Sequence, residues 1–461
     1  MKTYDAIVIG SGQAGTPLAK KLAKAGKKTA IIEKRFIGGT CVNDGCTPTK
    51  ALVASARMAY MATRTDLGIE VESFKVDFPA IMARKEAIVE KSRNGGQQGL
   101  EETPNLDLIF GDASFTGKKT VNVKFNAGGE EELTAGLIFI DTGAKTTIPE
   151  IIGIETVPYL TSTSILELKE LPESLIVIGG NYIGLEFGQM FSRFGSQVTI
   201  LEKGKRIMSK EDEDISEAVT GFLKEEGINM ITEATTVKLE QSASQKIMLT
   251  IEKDNQQQQI TASHLLIAVG RSPQTKNFGL EKTGVEVDEK GYIKVNDKLE
   301  TTAEGIYALG DVKPGPAFTH IAYNDHLVVL KNVLENAGVS IKGRPVPYCM
   351  FTDPQLGRIG LSENEARKQG LDILVAKLPM NKVARAVETN ETKGFMKAVV
   401  DAKTNQVLGA TVLGYEGGEV MAVLQMAMQG KITAHQLREN IFAHPTLSES
   451  INNLFMTIEE A

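Results

Sequence analysis

Short unbroken apolar runs recur along the chain, and several of them close on glycine. The first, Tyr4–Ile9 (YDAIVI), is followed by Lys28–Ile32, Leu137–Ile140, Ser174–Ile178, Gln197–Leu201 and Leu265–Gly270 (LLIAVG). Runs without polar alternation predict strands of a parallel sheet covered on both faces. Between them, Thr16–Ala25, Ala51–Thr63 and Phe78–Glu102 read as helices, the last carrying many charges and then Gly95-Gly96. Leu106–Val123, Gly291–Leu299 and Gly305–Leu309 read as further strands, and the polar run Gln256–Gln259 as a hairpin tip. After the Gly- and Pro-bearing stretch Asn336–Pro347 the pattern changes. Strands Gly394–Asp401 and Val407–Gly414 alternate with helices Gly417–Met428 and Ala434–Ile441. The fold class this predicts is α/β, and 461 residues exceed one ordinary core, so about three domains are expected.

Two of the apolar runs lead into the same device. Gly10-Ser11-Gly12-Gln13-Ala14-Gly15 follows the first strand and opens a helix, and Glu33 stands 23 residues after Gly10. Gly10 allows the tight turn, Gly12 lets backbone approach a pyrophosphate, and Gly15 lets helix pack on strand. Glu33 is placed to accept a ribose hydroxyl. Gly179-Gly180-Asn181-Tyr182-Ile183-Gly184 repeats the arrangement, with Glu202 again 23 residues on. Asn181 replaces the middle glycine, so its side chain must be kept clear of a phosphate. Two such units predict two dinucleotides. Glu202 favours a free ribose 2′-hydroxyl over a 2′-phosphate, hence NADH over NADPH, while Lys203, Lys205 and Arg206 lie close enough to offset that. Ile138–Gly143 (IFIDTG) reads as a second edge of the first site, and Gly310-Asp311 as a turn whose carboxylate can bond a polyol hydroxyl.

Gly38–Lys50 (GGTCVNDGCTPTK) holds two of the three cysteines, Cys41 and Cys46, just before a helical pattern. Unpaired amides and the dipole at a helix start favour a thiolate, so the pair reads as a redox-active disulfide. Asp44 is the odd residue there. A carboxylate so near should raise the thiol pKa values, and the expectation is that it points outward and tunes substrate access. Cys349, in the strand-like Pro347–Phe351, reads as a small buried hydrophobe.

Composition narrows the partners. The net charge of −7 argues against a nucleic-acid surface, and three cysteines are too few for a disulfide scaffold and suggest a reducing compartment. Strand-like sequence from Tyr4, with neither a signal peptide nor a membrane-length apolar run, adds to the expectation of a cytoplasmic enzyme without a metal.

Taken together, GGTCVNDGCTPTK, AVGRSP at Ala268–Pro273, TTAEGIYALGD at Thr301–Asp311 and HPTLSE at His444–Glu449 resemble one family over essentially the whole chain. It is the flavoprotein pyridine nucleotide–disulfide oxidoreductases. The resemblance implies a glutathione reductase-like fold: an FAD-binding domain (1–148 and 270–342), an NAD(P)-binding domain (149–269) and a C-terminal α+β dimerisation domain (343–461). It implies that Gly10, Gly12, Gly15, Glu33, Gly39, Thr40, Lys50, Thr142, Gly143, Arg271, Gly310 and Asp311 contact FAD. Gly179, Gly180, Gly184, Glu186, Glu202 and Gly270 would contact NAD(P)H, with Lys50 and Glu186 as a supporting ion pair. Catalysis would fall to Cys46 as the flavin-facing thiolate, Cys41 as the interchange thiol, and His444, oriented by Glu449, as the acid/base supplied by the other subunit of a homodimer. A thiol needs such a base, since it is mostly protonated at neutral pH; a helix-capping or core role is the bland alternative for His444. The oxidised substrate would be small. Thr47, Thr49 and Phe318-Thr319-His320 look most like mercuric reductase-like proteins and the hypothiocyanous acid reductases of that branch. A tail, Phe455–Ala461, without a cysteine pair counts against mercury. Dihydrolipoamide dehydrogenase and an NADH oxidase or diaphorase are the other readings.

Overall fold

A computed structural model describes residues 1–242 and 244–458; the last three residues of the cysteine-free tail lie outside it. The chain divides into two interleaved units. One holds Met1–Ala51, Ala80–Thr147 and Gly270–Arg344, the other Leu52–Pro79, Ile148–Val269 and Pro345–Ala461.

In the first unit, β1 (Lys2–Ile9) is buried on both faces over Ala6–Ile9, as its apolar end requires, while Lys2, Thr3 and Asp5 are exposed. It pairs in parallel with β2 (Thr29–Glu33) on one side and with β5 (Glu130–Ile140) on the other. β3 (Leu106–Gly117) lies beyond β2, and β4 (Thr120–Phe125) joins the far ends of β3 and β5 in antiparallel register. The strand Ile306–Ala308 extends the sheet beside β5. Helix α1 (Gly15–Lys24) presents Leu18, Ala19, Leu22 and Ala23 to the sheet, all of them buried. Each leucine so buried contributes roughly 1.5–3 kcal/mol. Lys21 and Lys24 in its last turn meet the negative end of the helix dipole. α2 (Gly39–Asn43), α3 (Cys46–Met61) and α4 (Phe78–Glu101) follow β2, α4 running unbroken through Gly95 and Gly96.

The second unit repeats a parallel sheet, in the order Asn229–Ile231, Gln197–Leu201, Ser174–Ile178, His264–Ile267, Tyr159–Leu160. Its C-terminal part is a five-stranded antiparallel sheet, including Phe395–Asp401 and Val407–Gly414, under helix Gly417–Gln429. Buried charges tie these parts together. Lys397 reaches Asp212 at 3.0 Å and Glu363 at 2.7 Å, and Arg358 reaches Glu211 at 3.0 Å. Cys349 is partly buried against the C-terminal core, in keeping with a small hydrophobe.

Two local expectations are corrected. Gly291–Leu299 forms no continuous strand, only the bridges Val287–Ile293 and Val295–Thr301. The Asn296 side chain accepts the Lys298 and Glu300 amides and turns the backbone, an alternative that competes with a strand ladder. Gln256–Gln259 is not a hairpin tip. It lies within the strand Gln256–Ala262, and the tip is Asp254-Asn255, both with positive φ as a tight hairpin turn demands. Among the described residues, no helix is long and apolar enough to cross a membrane.

Candidate active site

The two glycine loops match bond for bond. Gly10 N–H donates to Ile32 O and Gly179 N–H to Leu201 O, each at 2.8 Å. Gly10 (φ +103°) and Gly179 (φ +120°) both occupy backbone space closed to other residues, for a Cβ would lie 2.2 Å from Asp141 O in one and 2.4 Å from Ala268 O in the other. A Cβ on Gly15 or Gly184 would strike the carbonyl of the first glycine of its own loop. The acids match as well: Glu33 accepts Ser11 N–H at 3.0 Å, and Glu202 accepts Gly180 N–H at 2.8 Å.

The first loop fits a flavin dinucleotide. Glu33 also accepts the Ser11 hydroxyl and the Arg35 N–H. A carboxylate has about four acceptor sites, so one remains for a ribose hydroxyl. Gly39 presses on Gly12, where a Cβ would be 2.8 Å from the Gly12 Cα, and Thr40 beside it is exposed. Thr142 and Gly143 follow β5, with the Thr142 hydroxyl donating to Gln274 O. Arg271 lies in a short strand paired with Ala144–Thr146, and its Nε is buried without a partner. Burial pushes the Asp311 carboxyl up, against the pull of Arg271 and Lys313. Gly310 N–H donates to Asp325 at 2.9 Å, and Asp325, fully buried, is gripped by Lys313 at 3.1 Å and Arg344 at 2.6 Å. The half-buried Asp311 carboxylate, in the field of a guanidinium with one orphan nitrogen, suits a polar ligand spanning this edge. Sequence reasoning passed over Asp325 and also Asp141, although a carboxylate closing the apolar run IFIDTG was a visible signal.

The second loop fits a pyridine nucleotide. Asn181 is exposed, and its side-chain oxygen accepts Tyr182 N–H at 2.9 Å, capping the helix Tyr182–Phe194. Glu202 uses its other oxygen on Gly204 N–H at 2.7 Å, which leaves acceptor sites for a ribose diol. The Arg206 guanidinium is turned away to Glu213 at 2.7 Å and to the Glu211 carbonyl. Gly270 belongs to the first unit, with a φ of +133°.

The cysteines sit one in α2 and one at the start of α3. Cys46 is the first residue of α3, and Pro48, lacking an N–H, falls where a helix has no use for one. Cys41 lies in α2. Both are thiols. Hydrogen bonding to Cys46 and burial raise the Cys41 pKa, so Cys41 keeps its proton while negative charge is favoured at the helix start. The Thr319 hydroxyl lies 3.4 Å from the Cys46 sulfur. Asn43 Nδ2 donates to Ile37 O and Gly39 O, and Arg93 Nε donates to Asn43, which fixes the loop between the sulfurs. Asp44 does not point outward as expected: its side chain is 16% exposed and is held by Arg35.

His444 and Glu449 form the remaining group, in the second unit. His444 Nδ1 lies 2.9 and 3.0 Å from the two Glu449 oxygens, leaving Nε2 outward, and the ring is 67% exposed, neither a cap nor a core histidine. Neighbouring Ile441 is 94% exposed. Lys50, half-buried, stands one turn after Cys46 on α3 in the first unit. Glu186 is buried in the second unit and accepts Phe351 N–H at 2.8 Å.

Comparison with known proteins adds the family. Residues 4–325 match a family model described as pyridine nucleotide-disulphide oxidoreductase, and residues 346–455 match that family's dimerisation domain. Among curated relatives, the probable pyridine nucleotide-disulfide oxidoreductase RclA of Escherichia coli is 38% identical over 100% of both chains. A mercuric reductase of Bacillus cereus is 36% identical, covering 99% of this chain and 72% of that one. A dihydrolipoyl dehydrogenase of Bacillus subtilis is 34% identical over 96% and 94%. The solved Cu(II) complex of the HOCl-induced flavoprotein disulfide reductase RclA from Escherichia coli covers 100% of both chains with a TM-score of 0.92.

Proposed function

The chain belongs to the pyridine nucleotide-disulphide oxidoreductases, and from that membership we propose that it spends NADH to keep Cys41 and Cys46 reduced for attack on a small electrophilic oxidant, hypothiocyanous acid or a close chemical relative. FAD, when bound along the first glycine loop, Glu33, Arg271 and Asp311, carries the electron pair from nicotinamide to the disulfide. The observation that carries this reading is the contact of two thiols, Cys41 in α2 and Cys46 at the start of α3, with the Cys41 thiol held up by its hydrogen bond to Cys46 and by burial. End-to-end similarity to an HOCl-induced reductase supports the oxidant end.

The steps balance. His444 takes the Cys41 proton, and the Cys41 thiolate attacks the sulfur of hypothiocyanous acid, forming an S–S bond to the thiocyanate sulfur and releasing hydroxide. The Cys46 thiolate then attacks Cys41, closes the disulfide and expels thiocyanate. Each dithiol oxidised yields one thiocyanate and one water, and one hydride from NADH restores it. Glu449 holds the imidazole so that Nε2 faces the thiol. His444 comes from a second copy of the chain: the exposure of His444 and Ile441 and the match to a dimerisation domain support this. NADH is favoured because Arg206 is engaged with Glu213 and Glu202 offers acceptors to a ribose diol.

The test is a stopped-flow screen of NADH-reduced enzyme against hypothiocyanite, lipoamide, glutathione disulfide and Hg(II)–dithiol complexes. Fastest re-oxidation by hypothiocyanite is expected. Fastest re-oxidation by Hg(II), which the 36% identity to a mercuric reductase keeps in view, would replace the substrate. If no compound outpaces oxygen, the disulfide-reductase reading itself fails.

A further inference from the structure

Asp141 occupies a place that the reaction above does not use. Its backbone N–H donates to Ile9 O at 2.8 Å, at the mouth of the sheet. Its side chain turns inward, 8% exposed, and Oδ2 accepts the Gly15 N–H at 2.8 Å, at the first residue of α1. The carboxyl fills the space under the dinucleotide cradle. A Cβ on Gly12 would lie 2.7 Å from Oδ2, and one on Gly310 would lie 2.8 Å from Oδ1.

The surrounding charge is lopsided. Glu33 at the end of β2, Asp311 in the turn after Ile306–Ala308, and Asp325 on the helix Thr319–Glu335 all add negative charge around Asp141. The nearby cations are engaged elsewhere: Lys313 and Arg344 hold Asp325, and Arg271 lies by Asp311. Among the described residues no ion pair reaches Asp141, and a bound pyrophosphate brings further negative charge to the same cradle. With the Gly15 amide as its hydrogen-bond donor and no counter-ion among those residues, burial there favours the carboxylic acid over the carboxylate. Burial, first, and then the three facing carboxylates push the Asp141 carboxyl well above its usual range, more than the Gly15 amide pulls it down.

We infer that Asp141 serves as a neutral acid, a positioning residue that in its protonated form braces the first turn of α1 under the flavin dinucleotide and on ionising loosens it. This rests on the first loop holding FAD, as proposed above. The sign follows from the added charge: the pyrophosphate holds the Asp141 carboxyl higher in the loaded than in the empty protein, so loading is favoured while Asp141 is protonated, and that contribution is lost as pH rises from the empty-state to the loaded-state ionisation.

The experiment measures flavin retained by holoenzyme after ultrafiltration in mild chaotrope, from about pH 6 to about pH 9, in wild type and Asp141→Asn. Wild type should release flavin more readily with rising pH, by up to about tenfold per pH unit between the empty-state and loaded-state ionisations. Asp141→Asn, which keeps the shape and the acceptor but cannot ionise, should hold flavin evenly. An equal pH slope in both proteins, or a flat wild-type profile, would overturn the inference. Should the variant fail to fold, the infrared spectrum of wild-type holoenzyme decides: a protonated-carboxyl stretch that vanishes at high pH together with the flavin is expected, and its absence at low pH counts against the proposal. A purified chain that never carries flavin would instead sink the functional reading on which this one stands.

Discussion

Arg35 closes both terminal guanidinium nitrogens on the carboxylate of Asp44, at 3.0 and 3.2 Å. The fork cancels a negative charge that lies two residues before Cys46, and the Arg35 N–H is meanwhile bound to Glu33. One short segment therefore serves both Glu33 and the loop between the cysteines. Arg35→Gln should strand the Asp44 charge and slow alkylation of the reduced thiols at neutral pH by about two- to fivefold, with Arg35→Gln/Asp44→Asn restoring the rate. Arg35 is half exposed, so the coupling in the cycle should be about 0.2–1 kcal/mol. Equal rates in single and double variants would remove the pair from the chemistry.

Cys41→Ser should abolish turnover with the oxidant while sparing NADH-dependent dye reduction, and its reductive titration should lose the disulfide's electron pair per flavin. Cys46→Ser should lose that pair too. Full electron uptake by either variant, measured anaerobically, would contradict the assignment of both sulfurs.

Glu449→Gln leaves His444 with a weaker partner at Nδ1. The expected loss is about 10–100-fold in kcat with the oxidant, KM little changed and dye reduction intact. Unchanged steady-state kinetics would return His444 to a surface role.

Glu202→Ala removes the acceptor shared by Gly180 and Gly204 and proposed for the ribose. KM for NADH should rise about tenfold and the preference over NADPH should shrink, since a charged hydrogen bond contributes about 1.5–3 kcal/mol. A preserved NADH/NADPH ratio would place the discrimination elsewhere.

Lys397→Met takes the cation from among Asp212, Asp214 and Glu363. Asp214 keeps Lys377 and Glu363 keeps Arg367, but buried Asp212 is left with no cation among the described residues, which should cost about 3–5 kcal/mol at neutral pH, read by denaturant unfolding. Burial alone would raise Asp212 and Glu363, but the Asn364 amide on Asp212 and Lys397 on both hold them below the usual carboxylate range. Their contribution is thus present above the unfolded pKa of about 4 and lost as pH falls. The gap between wild type and variant should accordingly narrow in acid.

Much of this arrangement could be read from the chain, because its signals are local. Gly10 and Gly15, Gly179 and Gly184, the acids 23 residues on, and the cysteines of the GGTCVNDGCTPTK stretch are all set by short-range backbone geometry. His444 and Glu449 are five residues apart and meet as expected. The partners that neutralise charge were not legible. Nothing local says that Asp44 will turn to Arg35, that Asp325 will take Lys313 and Arg344, or that Asp141 will lie under Gly12 and Gly310; those are tertiary encounters. Gly291–Leu299 was misread because a side-chain turn at Asn296 overrode an apolar pattern.

The strand Ile306–Ala308 joins β5 from roughly 165 residues downstream. During synthesis at about 5–20 residues per second, the edge of β5 therefore waits roughly 8–33 seconds for its neighbour. An intervening unit of sheet is made in that interval, with open edges of its own. Newly made chains should be most prone to aggregation at this stage, and ribosome-bound chains halted between residues 140 and 306 are where chaperone binding should peak.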